Sequence, residues 1–163
     1  MATVENHLIE LLPRKERSRL LAICEPVQLV LSEMVCEPGK PTRHVYFPTD
    51  GFISLVALVD GSPSLEVGMV GREGMVGAQL VLGVVTAPLR ALVQGSGAAW
   101  RIEAKAFLGE LERSVPLQRG LNRYLYVLMA QLAASAGCLR FHQISARLAD
   151  LYGDGRPPQR PLV

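Results

Sequence analysis

The sequence predicts a mainly β protein, an antiparallel β-roll or sandwich with flanking helices, followed by a long C-terminal helix. Three observations support this fold class. Between residues 27 and 102, short runs of alternating apolar residues are separated by turns rich in glycine and proline. At Glu103 the apolar period changes from that of strands to that of helices. From residue 117 to residue 151, apolar residues recur at the spacing of a coiled coil.

The composition indicates a single folded domain in a chain of 163 residues. Apolar residues make up 49% of the chain and charged residues 20%, which argues against a disordered protein. The net charge of +2 is too small to indicate a nucleic-acid-binding surface. No apolar run is long enough to span a membrane, and the N-terminus does not resemble a signal peptide. We therefore expect a cytoplasmic protein.

The chain divides into three parts by pattern. Residues 1–115 contain two short helices and the strands, residues 116–152 the long helix, and residues 153–163 a tail expected to be disordered. The short helices are predicted at residues 6–12, with Asn6 as the N-cap, and at residues 13–24. Strands are predicted at residues 27–31, 34–36, 44–47, 52–59, 65–70, 89–93 and 98–102, with a hairpin turn at residues 60–63. A helix at residues 103–113 follows, and Ser114 is positioned to cap the long helix.

The stretch from residue 68 to residue 94 carries the clearest functional pattern. Gly68, Gly71, Gly74 and Gly77 recur every three residues, and Arg90 follows within apolar flanks. Glycine lets backbone N–H groups approach a ligand closely, and an arginine in apolar surroundings pairs well with an anion. This pattern predicts a pocket for a small phosphate-bearing ligand. The alternative is a plain strand–turn–strand corner with Arg90 at a strand edge.

One side of the predicted long helix is apolar. Its seam consists of Leu121, Leu125, Leu128, Leu132, Ser135, Leu139 and His142, at alternating spacings of four and three. A helix of about 35 residues is ~50 Å long, which is more than one small roll can cover. We therefore predict a homodimer that forms through this seam. The alternative is that the helix packs its apolar side on its own β domain.

Four stretches, taken together, resemble the effector half of the Crp/Fnr family of bacterial transcription regulators. They are RHVYFPTDGFISLVA at residues 43–57, SLEVGMVGREGMVGAQLVLG at 64–83, PLRALVQG at 88–95 and LMAQLAASAGCLRFHQISARLADL at 128–151. The resemblance covers about residues 5–151 and implies an eight-stranded, cyclic-nucleotide-binding-like roll (a jelly roll or double-stranded β-helix). It also implies a homodimer through the long helix and a C-terminal helix-turn-helix that reads DNA. The chain ends before such a domain, so we expect DNA binding only in full-length relatives.

The resemblance places the effector site at Gly77, Ala78, Gln79, Leu80, Arg90 and Ala91. In family members that bind cyclic AMP, a glutamate holds the ribose 2′-hydroxyl, and an arginine–serine pair holds the cyclic phosphate. Ala78 and Ala91 replace the glutamate and the serine here. Losing one charge-assisted hydrogen bond costs about 1.5–3 kcal/mol, so ordinary cyclic AMP affinity is not expected. The expected ligand is an unidentified cyclic nucleotide or other anionic effector. The alternative is a dimerisation scaffold whose degenerate pocket binds nothing.

Other chemistry is not supported by the residues present. Cys24, Cys36 and Cys138 are odd in number and far apart, which favours packed thiols over disulfides or an iron–sulfur cluster. His44 and His142 are better explained as packed or rim histidines than as haem ligands. The three histidines also fall in three different elements, so no cupin-type metal centre is predicted. Because no catalytic motif occurs either, we predict no metal, no catalytic residue and no enzymatic activity.

Overall fold

Two antiparallel sheets form a β-roll in the computed structural model, which describes residues 6–58 and 64–141, with side chains as far as residue 134. The strands are β1 Glu25–Leu29, β2 Met34–Cys36, β3 His44–Pro48, β4 Phe52–Ala57, β5 Leu65–Val70, β6 Arg90–Gly95 and β7 Gly97–Glu103. One sheet has the order β1-β7-β3 and the other the order β2-β6-β4-β5. This arrangement confirms the predicted mainly β fold with flanking helices.

The strands differ from the prediction mainly at their ends. β1 begins at Glu25 and includes Pro26, which is tolerated because β1 is an edge strand of its sheet. The resemblance implied eight strands, whereas the described residues form seven. Two isolated bridges, Pro41–Thr86 and Tyr46–Val76, join loops to the roll on either side of the predicted effector segment. Local periodicity does not detect such single-residue pairings.

The described residues form four α-helices: α1 His7–Glu10, α2 Arg14–Leu21, α3 Ala104–Arg113 and α4 Val115–Phe141. Both predicted caps are present. Asn6 Oδ1 accepts hydrogen bonds from Leu8 N and Ile9 N, and Ser114 Oγ accepts one from Leu117 N. The chain forms two units, residues 1–126 and 127–163, and α4 contributes to both. The turn at residues 60–63, the predicted helix beyond residue 141 and the tail lie outside the described residues.

Two apolar clusters fill the first unit. One surrounds Phe47 and Phe107, whose ring centroids are 6.4 Å apart, and it joins the helices to β3 and β7. The other lies inside the roll around Ile53 and Val93, both fully buried. Cys36 is buried and Cys24 half-buried, as predicted for packed thiols, and burial raises the pKa of Cys24 to about 12. In the part of the chain that the structure describes, no helix has the length and apolar character needed to cross a bilayer.

Candidate functional site

The glycine-rich stretch folds into a turn and a short 3-10 helix between β5 and β6. After β5 the chain turns tightly, with Gly74 N donating to Gly71 O at 3.1 Å. The 3-10 helix spans Ala78–Leu82. Gly77 and Gly83, which bound this helix, have φ values of +95° and +76°, in the left-handed region that favours glycine. The stretch is thus more elaborate than the plain strand–turn–strand corner considered as the alternative.

Gly77 lies against β3. Tyr46 and Val76 exchange two backbone hydrogen bonds, of 3.2 and 2.9 Å, which hold the chain beside this strand. A Cβ atom at position 77 would lie 3.2 Å from Val45 Cγ2. Glycine is therefore required here both by its φ value and by the close approach of the strand.

The other residues predicted next to Gly77 have different environments. Ala78 and Gln79 are half-buried, and Gln79 Nε2 donates to Thr42 Oγ1 at 2.7 Å. The Leu80 side chain is only 2% exposed and belongs to the core cluster around Phe47. Leu80 therefore fixes the 3-10 helix to the roll through its side chain, which is not available to a ligand.

Arg90 and Ala91 face opposite sides of their sheet. Arg90 pairs with Val56 and Ala91 with Leu55, and successive residues of a strand alternate between its faces. Ala91 is 1% exposed and belongs to the core cluster around Ile53, so the Arg90 side chain lies on the face turned away from that cluster. Arg90 and Ala91 therefore do not present their side chains to a ligand on the same face of the sheet.

Arg90 has unused hydrogen-bonding capacity. Its Nε atom is buried and has no hydrogen-bond partner among the described residues. Buried donors are nearly always paired, so an unpaired guanidinium nitrogen indicates a place where an acceptor would be favourable. Within residues 6–58 and 64–141, no hydrogen bond links Arg90 to the segment 77–80. The described structure thus shows no direct bond between the two parts of the predicted site.

A network that the sequence did not predict joins the 3-10 helix to the loop between β2 and β3. Besides the bond from Gln79, Thr42 N donates to Val85 O at 2.8 Å, and Ala87 N donates to Lys40 O at 2.9 Å. Thr42 is 8% exposed. Burial raises the pKa of the Cys36 thiol, and the Thr42 hydroxyl partly offsets this effect. In the sequence, residues 37–41 (EPGKP) between the predicted strands 34–36 and 44–47 indicate a turn, but not the segment with which it pairs.

A cavity of about 510 Å³ adjoins this network, between β2, the β2–β3 loop, His44 and Ala87. None of the six residues predicted to bind the effector lines it. Across the described chain, no three histidine, cysteine, aspartate or glutamate side chains are grouped as a metal site.

Helix α4 contacts the glycine-rich stretch directly through Tyr124. Met75 N donates to the Tyr124 hydroxyl at 3.3 Å, and burial raises the pKa of that phenol. A Cβ atom at position 74 would lie 2.6 Å from the hydroxyl oxygen, so Gly74 leaves the room that Tyr124 occupies.

Tyr124→Phe is expected to lower the free energy of unfolding by about 0.5–1.5 kcal/mol, because the Met75 N–H loses its acceptor in a partly buried place. Urea denaturation followed by circular dichroism measures this loss. Tyr126→Phe is the matched control, since Tyr126 is 69% exposed and its change should stay within about 0.5 kcal/mol of wild type. Equal losses in the two variants would contradict the assigned contact.

The residues of the predicted seam have unequal exposure. Leu121 is 2% exposed and packs in the core cluster around Phe107, so we leave it out of the proposed seam. Leu125 and Leu128 are half-buried, and Leu132 is 47% exposed. The side chains of Ser135, Leu139 and His142 lie outside the described part. Dimerisation through the remaining seam stays a prediction.

Neither a protein-family model nor a curated protein sequence matches this chain. Solved structures do. The c-di-GMP-responsive global regulator CLP of Xanthomonas campestris is 20% identical with a TM-score of 0.65, over 89% of this chain and 74% of that one. The Thermus thermophilus catabolite activator protein is 16% identical with a TM-score of 0.66, over 93% of this chain and 73% of that one.

The sensor domain of the transcriptional regulator DNR from Pseudomonas aeruginosa is also similar. It is 20% identical with a TM-score of 0.60, over 85% of this chain and 90% of that one. Identities this low establish a common fold and nothing finer. At that level they confirm the resemblance, because the chain has the roll and long helix of Crp/Fnr-type regulators and cyclic-nucleotide-binding domains.

Proposed function

We propose that this chain is the effector-sensing and dimerising part of a Crp/Fnr-type regulator, and that it binds a small anionic effector between Gly77 and Arg90. The chain acts by binding and not by catalysis. The fold shared with CLP, the catabolite activator protein and the DNR sensor domain supports the class. The buried and unpaired Nε of Arg90 is the observation that carries the proposal.

An anion is the natural partner of this arginine. The guanidinium group stays charged at any pH at which the protein folds, and its donors match the paired oxygens of phosphate or carboxylate. In the described part of the chain, no carboxylate forms a salt bridge with Arg90. A bound phosphate would supply the acceptor that the Arg90 Nε lacks. The left-handed Gly77 would let the effector approach the backbone at the start of the 3-10 helix.

The residues around Gly77 disfavour cyclic AMP bound in the usual way. Ala78 has no carboxylate for a ribose hydroxyl, and Ala91 has no hydroxyl and is packed in the core. The effector is therefore recognised mainly through its anionic group. Cyclic dinucleotides belong in the test panel because they carry two phosphates, and because CLP is c-di-GMP-responsive.

The proposed mechanism runs from the effector to the dimer helix. An effector that contacts Gly77 would shift the chain between Gly74 and Gly77, whose Met75 N–H is bonded to Tyr124 on α4. Each of two positions of the segment 74–77 would then favour a different position of α4. Since an effector shifts such an equilibrium only by its difference in affinity for the two states, ligands that stabilise both equally would bind without signalling.

The test is calorimetric titration with cyclic AMP, cyclic GMP, c-di-AMP and c-di-GMP. We expect at least one to bind, and Arg90→Ala to weaken it roughly tenfold to a hundredfold through loss of a charged hydrogen bond. Arg113→Ala is the matched control, because Arg113 is exposed on α3 and its removal changes the net charge equally. Binding that survives Arg90→Ala unchanged would remove Arg90 from this role.

The second candidate function is a dimerisation scaffold that binds no effector. Two observations favour it, since the side chains of Leu80 and Ala91 are used in the core and Ala78 offers no polar group. On this reading the protein would form mixed dimers with full-length relatives. Failure of every nucleotide to bind a protein that is folded and dimeric would favour the scaffold over the sensor.

A further inference from the structure

We infer that the cavity between β2 and the β2–β3 loop is a second ligand site, which takes a small organic anion with an apolar portion. The site is separate from the one proposed between Gly77 and Arg90 and shares no lining residue with it. The inference thus goes beyond the proposed function and does not depend on it.

The buried part of the lining, here called the base of the cavity, is uncharged. It consists of Cys36, Thr42 and Ala87. The Thr42 hydroxyl is already paired, because its Oγ1 accepts from Gln79 Nε2. Burial raises the pKa of the Cys36 thiol and keeps it protonated. The base therefore presents neutral surface, which suits the apolar part of a ligand.

The mouth of the cavity carries an excess of positive charge. Lys40 and Arg43 are exposed there, His44 is half-buried, and Glu37 is the one carboxylate in the lining. Neither Lys40 nor Arg43 forms a salt bridge with any carboxylate in the described ranges. Both cations are therefore available to an anionic group that enters the mouth.

The volume of the cavity and its apolar wall indicate the size and the apolar character of the ligand. A volume of about 510 Å³ lies within the range of roughly 300–1,000 Å³ found for small-molecule sites. Met34, 48% exposed, and the half-buried Val35 form an apolar wall. These features fit a carboxylate, sulfonate or phosphate monoester attached to an aliphatic or aromatic group. They do not favour a bare inorganic anion, which would leave the apolar wall and base uncovered.

A ligand in this cavity would be sensed by the glycine-rich stretch. Three backbone hydrogen bonds of 2.8–2.9 Å join the cavity wall to the chain before β6. Gly39 N donates to Ala87 O, Ala87 N donates to Lys40 O, and Thr42 N donates to Val85 O. The bond from Gln79 adds the 3-10 helix itself. Occupation of the cavity should therefore slow hydrogen exchange at the amides of Gly39, Thr42 and Ala87.

The test uses anilinonaphthalene sulfonate, an aromatic anion whose fluorescence rises in apolar surroundings, and its uncharged parent phenylnaphthylamine. The Lys40→Gln, Arg43→Gln double variant should weaken the sulfonate roughly fivefold to tenfold, as expected for two exposed charge contacts, and leave the neutral probe unchanged. The control is Lys105→Gln, Arg113→Gln, which removes two exposed charges on α3. It should bind both probes as wild type does.

Amide shifts and hydrogen exchange in the presence of the sulfonate locate the binding. Changes confined to residues 34–44 and to their hydrogen-bonded partners, Gln79 and residues 84–87, support the cavity. Changes elsewhere, equal weakening in the double variant and its control, or equal weakening of both probes would overturn the inference. Arg90→Ala should leave sulfonate binding intact, whatever its effect on nucleotides. The cavity and the Gly77–Arg90 site can thus fail independently.

Discussion

Leu128→Glu is expected to convert a dimer into a monomer. Leu128 lies in the middle of the seam that remains after Leu121 is assigned to the core, between the half-buried Leu125 and the 47% exposed Leu132. In a two-helix seam each copy would bury its glutamate against the other, without a cationic partner. Burying an unpaired charge costs several kcal/mol, so the dimer dissociation constant should rise by at least about a hundredfold.

Light scattering over a range of protein concentrations measures this effect, and Met129→Glu is its control. Met129 is 62% exposed and lies about 100° round the helix from Leu128, off the apolar seam. The Met129→Glu variant introduces the same charge and should have the same mass in solution as the wild-type protein. If Leu128→Glu has the mass of wild type at every concentration, α4 does not dimerise through this seam. If both variants are monomers, the added negative charge by itself disrupts the dimer, and the result does not support the seam.

Asn6→Ala should lower the free energy of unfolding by about 2–4 kcal/mol, the combined cost of a lost helix cap and of buried groups left unpaired. Asn6 is fully buried, and both the oxygen and the nitrogen of its side-chain amide form hydrogen bonds. Its Oδ1 accepts from Leu8 N and Ile9 N at 3.1 and 3.4 Å. Its Nδ2 donates to Pro48 O at 2.9 Å and to Gly74 O at 3.0 Å. One amide thus ties α1, the end of β3 and the glycine-rich stretch together.

Chemical denaturation measures the loss, and Asn6→Ser separates its two components. Serine keeps an acceptor for the helix cap and loses the bonds to Pro48 and Gly74, so its loss should be smaller than that of alanine. Ser18→Ala, which removes an exposed hydroxyl on α2, should have a change within about 0.5 kcal/mol of wild type. An Asn6→Ala variant as stable as wild type would show that the hydrogen bonds of Asn6 to α1, Pro48 and Gly74 do not stabilise the fold.

The elements themselves could be predicted because they depend on local chemistry. Alternating apolar residues predicted the strands to within a few residues, since strands such as β6 bury every second residue. Asn6 and Ser114 were recognised as caps because short polar side chains before an apolar run can reach the free N–H groups of a helix. The change of period at Glu103 likewise matched the end of β7 and the start of α3.

The candidate site was harder to predict because it depends on pairing between distant segments. The sequence placed Arg90 and Ala91 side by side on one strand, but only the folded roll shows that Ala91 is the one packed in the core. Leu121 has the same spacing in the sequence as Leu125 and Leu128, yet Leu121 faces the core. Nothing in the local pattern linked Gln79 to Thr42, which is 37 residues away along the chain.

What the sequence determined by itself was the class of fold and the position of the glycine-rich stretch. These follow from the period of apolar side chains and from the spacing of the glycines. The requirement for glycine at residue 77 came from the structure, through its φ value of +95° and the close approach of Val45. Only the tertiary structure decided which side chains remain available for binding. It assigned Leu80, Ala91 and Leu121 to packing, left Arg90 Nε unpaired, and brought the β2–β3 loop against the chain before β6. The physical reason is that burial and hydrogen bonding are settled by strand register and by contacts between residues far apart in sequence, which local patterns do not encode.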